Sequence, residues 1–168
     1  LYIGINQALA EYGGVIIGGD CTFGKEKVIS ITALGEQGEL QLRRNACKPG
    51  EIILTTGIHG LSKLGLMLKS NNNFDCDVSL SQRLINQSIE HFCRPKLHPD
   101  FLKKLLETCS DKKFTELGCT DSSDGLFQAI EDLSFASKCK AVINYEKIPK
   151  DKDWPKGNKW DDFYFFGG

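Results

Sequence analysis

Seventeen glycines cut this 168-residue chain into short runs, and the runs change their apolar period from one to the next. Spacings of three and four residues read as helix, and short runs of alternating β-branched residues read as strand. Gly13-Gly14, Gly18-Gly19 and the Gly35 to Gly38 turn close such runs, because a residue without a Cβ can reverse the backbone at little steric cost.

Ile5, Ala8, Leu9 and Tyr12 share a helical face, so residues 3–12 are predicted helical and closed by Gly13-Gly14. Residues 15–17 read as a short buried strand, 27–34 as a second and 52–54 as a third. The leucines of 61–68 predict a helix. Another spans 81–92 and stops before Pro95. A third spans 100–109, with Pro99 at its first position. Residues 71–73 read as a loop and 114–119 as a strand. Residues 124–137 read as a helix with Leu126, Ile130 and Leu133 inward, and 139–145 as a strand. Residues 151–161 are polar around Trp154 and Trp160, and the aromatic run into Gly167-Gly168 reads as a strand entering a turn. Strands and helices alternate without a clean βαβ series, so the expected fold class is α+β, mixed α/β. The Lys48-Pro49-Gly50 turn is the expected boundary between two lobes, 1–47 and 48–168.

Composition narrows the partners. Lys plus Arg number 21 against 22 Asp plus Glu, a formal net charge of −1, which disfavours a dedicated nucleic-acid binder. The apolar and charged fractions are those of an ordinary globular protein, not a disordered tail or a collagen-like fibre. No apolar run approaches the roughly 20 residues of a membrane helix. The seven cysteines are odd in number and form no CxxC, which predicts reduced thiols in a cytoplasmic protein. Met67 is the only methionine, and the chain is expected to be an internal piece of a longer protein.

Three constellations carry chemistry. Gly18-Gly19-Asp20 follows a predicted strand. It fits a tight turn with a solvated acid, or a backbone that lets a ligand approach while a carboxylate holds Mg²⁺. Asp121-Ser122-Ser123-Asp124-Gly125-Leu126 opens a predicted helix. It fits a helix cap, or a phosphate site at a helix N-terminus with two acids to share metal ions. Arg43-Arg44 ahead of the Lys48-Pro49-Gly50 turn fits snorkelling surface cations, or a guanidinium fork on phosphate. A Walker loop and the kinase glycine-rich motif set are both missing, so nucleotide chemistry here would rely on acids and metals.

In this order, the motifs resemble the thiamine-monophosphate kinase family, within the superfamily of aminoimidazole ribonucleotide synthetase and selenophosphate synthetase. The matching pieces are Gly-Gly-Asp-Cys-Thr at 18–22, Arg-x-x-x-Lys-Pro-Gly-acid at 44–51, and Thr56-Gly57 with Gly60, Leu61, Ser62, Gly65 and Leu66. Arg94-Pro95 and the DxSDGL element at 121–126 complete the set. DxSDGL is the most specific, because sister families carry other residues there. The resemblance implies a two-lobed synthetase-like fold and ATP-dependent phosphorylation of thiamine monophosphate to thiamine diphosphate with Mg²⁺, in a homodimer. Carried over, Gly19 and Asp20 contact the ATP phosphates, Arg44 and Ser123 contact ATP, and Tyr2 contacts the nucleotide. Asp20, Asp121 and Asp124 bind metal, the last two as the catalytic acids.

Two positions depart from the family. Cys21 stands where Thr usually follows the Asp directly, and His59 replaces a usual Leu and reads as an exposed loop histidine. The family's substrate segment, Glu-Asp-Tyr, follows a glycine pair like Gly167-Gly168. The chain is therefore expected to hold most of the ATP side and little of the substrate side. The alternatives are another superfamily member with a different small acceptor, and a non-catalytic module that binds nucleotide only.

Overall fold

The computed structural model describes residues 1–36, 38, 40–70, 79–110 and 115–167. The loop expected at 71–73 lies outside these. The chain divides into two compact units, Leu1–Gln37 and Gly38–Gly168.

The first unit holds helix α1 (Tyr2–Tyr12), closed where the Gly13 N–H donates to the Leu9 carbonyl at 2.8 Å. The strands expected at 15–17 and 27–34 do not form, and Val15, Ile17, Val28 and Ile31 are exposed. A β-branched run supplies only one side of a ladder. Its backbone groups need a second strand, and the described residues of this unit offer none.

The second unit is helix-dominated, with a small parallel sheet. Strand β1 (Gln41–Arg43) pairs with β2 (Glu116–Gly118) so that Gln41 faces Glu116 and Arg43 faces Gly118. The helices are α2 (Leu61–Ser70), α3 (Gln82–Cys93), α4 (Pro99–Ser110), α5 (Leu126–Ser137) and α6 (Asn158–Phe165). The first four match the expected spans to within about two residues. The exception is α6, where a polar segment running into a strand is expected. Trp160, Phe163 and Tyr164 nevertheless stand at the three- and four-residue spacings of a helix face. The strands expected at 52–54 and 139–145 are likewise absent; a 3-10 turn at Tyr145–Lys147 ends the second run.

The core is Leu61 and Leu64 from α2, Leu84 from α3, and Trp154, Trp160 and Tyr164 around α6. Trp154 Nε1 donates to the Trp160 carbonyl at 3.1 Å, so the buried indole N–H is satisfied. Helices α2 and α3 touch at Gly65, where a Cβ would overlap the Ser88 carbonyl and lie 2.8 Å from the Phe92 Cβ. The start of α3 is pinned by ion pairs. Ser81 caps it, accepting the Leu84 N–H at 3.2 Å and donating to Asp153 Oδ2 at 2.7 Å. Arg83 donates through Nε to Asp153 at 2.9 Å and through Nη2 to Asp151, whose side chain is only 5% exposed.

His59 is a correction. It is buried, not an exposed loop residue, and its Nε2 lies 2.6 Å from the Thr55 hydroxyl. Burial disfavours the imidazolium and lowers its pKa.

This packing makes two predictions. Gly65→Ala forces α2 and α3 apart and should cost about 1–3 kcal/mol in urea denaturation. The second concerns acid. His59 takes up its proton less readily in the fold than in the unfolded chain, where it protonates at about 6.5, so the unfolded state binds more protons as pH falls. Stability should therefore drop below about pH 6.5, with His91, also lowered by burial, adding to the slope. His59→Leu should flatten part of that slope when melting temperature is followed from about pH 7.5 to about pH 5.

Candidate active site

Parallel strands put their carboxyl ends on the same side, and ligands in such sheets gather at that edge. Here β1 runs out into Arg44 and β2 into Cys119-Thr120-Asp121, with the Cys119 N–H donating to the Arg43 carbonyl at 3.0 Å. Residues 77 positions apart in sequence are thereby brought together: Arg44 Nη2 lies 3.3 Å from Asp121 Oδ1.

Arg44 is held at both ends. Its carbonyl accepts from the Ser137 hydroxyl at 2.8 Å, and Ser137 Oγ in turn accepts the Cys47 N–H at 3.1 Å. Its guanidinium faces Asp121 and, through Nη1, Asp132 Oδ2 at 3.5 Å. Asp121 is equally engaged. Its Oδ2 accepts from Ser123 Oγ at 2.6 Å, and Thr120 Oγ1 lies 3.4 Å from Oδ1. The Ser123 bond, a backbone N–H and Arg44 hold the Asp121 carboxyl below the usual carboxylate range, so it is an anion at any ordinary pH. The Arg44 and Asp121 side chains are 57% and 67% exposed. Such pairs contribute roughly 0.2–1 kcal/mol, so the contact is open to exchange.

The capping alternative for residues 121–124 does not hold. Helix α5 begins at Leu126, not at 124, and its N-cap is Gly125, with no side-chain cap bond. Gly125 has φ 102°, a left-handed conformation that suits glycine, and a Cβ there would lie 3.2 Å from the Phe166 carbonyl carbon. The two acids are thus left on an exposed turn before the helix, where Asp124 is exposed.

The remaining sequence-predicted residues lie in the first unit. Asp20 Oδ1 accepts the Cys21 N–H at 2.7 Å, and the Cys21 Sγ lies 3.4 Å from the Tyr2 hydroxyl, a contact that raises the Tyr2 pKa. A Cβ on Gly18 or Gly19 would meet nothing within 4 Å, so the backbone beside Asp20 is open to a ligand. The structure therefore groups Tyr2 with Cys21 and Asp20 in one unit, and Arg44 with Asp121 and Ser123 in the other.

Among the described residues, no three His, Cys, Asp or Glu side chains form a ready metal cage. Mg²⁺ does not require one. It takes one or two carboxylates and completes its shell with water and substrate phosphate, and an ionised, exposed Asp121 three residues from Asp124 suits that donor set. Sequence reasoning misses Ser137, Gln128 and Asp132. They stand on α5, far along the chain from Arg44, and nothing local marks them as its supports.

Among the described residues, no helix is long and apolar enough to cross a membrane. No family model matches the chain, and no solved structure matches it. Curated proteins do. A thiamine-monophosphate kinase of Prochlorococcus marinus is 39% identical over 168 residues, covering 100% of this chain and 50% of the relative. That of Synechococcus elongatus is 31% identical over 150 residues, 89% of this chain and 44% of the relative. That of Bacillus subtilis is 29% identical, again over 100% of this chain and 50% of the relative. The chain spans about half the length of the curated relatives it matches. Along its own full length, the chain is a homologue of the thiamine-monophosphate kinases.

Proposed function

We propose that the protein carrying this chain transfers a phosphoryl group from ATP to thiamine monophosphate, giving thiamine diphosphate, by direct Mg²⁺-dependent transfer. The observation that carries the reading is the meeting of Arg44 with Asp121 and Ser123 at the carboxyl edge of β1 and β2. The homology to thiamine-monophosphate kinases supports the acceptor. The reading places residues 1–47 in an ATP- and metal-binding lobe and 48–168 in a second lobe of a two-lobed synthetase-like fold. It also makes the protein a cytoplasmic homodimer with no nucleic-acid or membrane partner.

Phosphoryl transfer asks the protein to position reactants and neutralise charge, with little covalent chemistry of its own. Arg44 presents a planar fork matched to phosphate oxygens. Ser123 offers a hydroxyl, and Gly19 a backbone without a Cβ, to the ATP phosphates; Tyr2 contacts the nucleotide. Asp20, Asp121 and Asp124 supply the carboxylates for Mg²⁺. Bound there, the cation would offset the negative charge of donor and acceptor phosphates. A general base is unnecessary, because the acceptor is a phosphate monoester, whose second pKa of about 6 leaves its oxygen an anion at neutral pH.

In the full-length protein, Asp124→Asn should lower turnover by at least about 100-fold while shifting the melting temperature little, since Asp124 is exposed. Steady-state kinetics with ATP and thiamine monophosphate across a Mg²⁺ series checks this. A variant with the parent's rate and Mg²⁺ dependence would remove Asp124 from the site. Product formation from another small acceptor, but not from thiamine monophosphate, would overturn the substrate assignment.

A further inference from the structure

We propose that Asp132 is a positioning residue for Arg44, taking over the guanidinium when a divalent cation occupies Asp121. The inference rests on the reading of Asp121 as a cation ligand. Arg44 lies between two carboxylates, with Nη2 3.3 Å from Asp121 and Nη1 3.5 Å from Asp132. The two acids are not equivalent. Asp121 sits on the exposed turn before α5. Asp132 lies within α5, at about half the exposure, and its Oδ1 is held by Gln128 Nε2 at 2.8 Å, a bond spanning one helical turn. The Arg44 backbone is tied to the same helix through Ser137. Arg44 is thus tethered to α5 through both its main chain and its side chain, and its contact with Asp121 is the exchangeable one.

A cation and a guanidinium compete for the Asp121 oxygen, because like charges at contact distance repel. Cation entry displaces Arg44 from Asp121, and Asp132 keeps it beside the site with the rest of its fork free for a phosphate. Without Asp132, Arg44 has Asp121 as its remaining acidic partner in this pair of contacts and opposes the cation more strongly.

Titration of the full-length protein with Mn²⁺, followed by electron paramagnetic resonance without nucleotide, tests this apart from activity. Arg44→Gln should tighten Mn²⁺ binding, and Asp132→Asn should weaken it by roughly fivefold. In the Arg44→Gln background, Asp132→Asn should change the affinity by less than about twofold; with Arg44 present, Asp132→Glu should keep the parent value. Equal weakening in both backgrounds would overturn the proposal, since Asp132 would then act only as a distant negative charge. No effect in either background would also overturn it. Mn²⁺ binding that is indifferent to Asp121→Asn would overturn the cation reading itself, and this proposal with it.

Discussion

The parallel pairing of two three-residue strands sets the geometry of everything proposed for the second unit. Gln41–Arg43 and Glu116–Gly118 share only a short ladder, and a ladder of that length is marginal by itself. Its neighbours reinforce it. Cys47 packs over Gly118, where any side chain would collide with it. Ser137 then bonds the backbone on either side of the intervening turn, at Arg44 and at Cys47. Helix α5 therefore closes the sheet edge and carries the acid that faces Arg44. The register matters because it delivers Arg44 and Asp121 to one side. A slip of one residue would point both elsewhere.

What is legible in the sequence divides by the range of the interactions involved. Helices α1 to α5 can be read because their stabilising contacts repeat within three or four residues. Even so, α5 starts two residues later than expected, since Gly125 takes the cap position. Strands are poorly legible. Residues 15–17, 27–34, 52–54 and 139–145 all have strand-like composition, but none finds a paired edge among the described residues. Of the two strands that do form, Glu116–Gly118 falls within the span expected at 114–119, whereas Gln41–Arg43 lies where no strand is expected. β-propensity records fitness for a pleated surface and says nothing about whether a partner is present.

The site shows the same division. Asp121, Ser123, Asp124 and Arg44 stand out as motif residues, because phosphate and metal chemistry needs a characteristic local set. Ser137 and Asp132 do not, because their role comes from a contact with a residue far along the chain, and Gln128 matters only through Asp132. His59 escapes a sequence reading for a related reason. A lone histidine between glycines looks solvent-facing, and only the packing of the surrounding loop against α6, where Gly60 meets Tyr164, shows it to be buried.

The arginine–carboxylate centres at Arg83 and at Arg44 are built from the same chemistry, and their burial separates their roles. Arg83 meets Asp151, whose side chain is almost fully enclosed, together with Asp153 and the Ser81 cap. Breaking that pair would strand a buried charge, so it behaves as a fixed clamp between α3 and the 151–153 turn. Arg44 meets Asp121 in the open. Water screens that pair, and releasing it strands nothing, so a cation or a phosphate can displace either partner at little cost. An arginine that must change partners during a binding cycle needs the second environment. It also needs a support that does not let go, and Ser137 and Asp132 on α5 are placed to provide it.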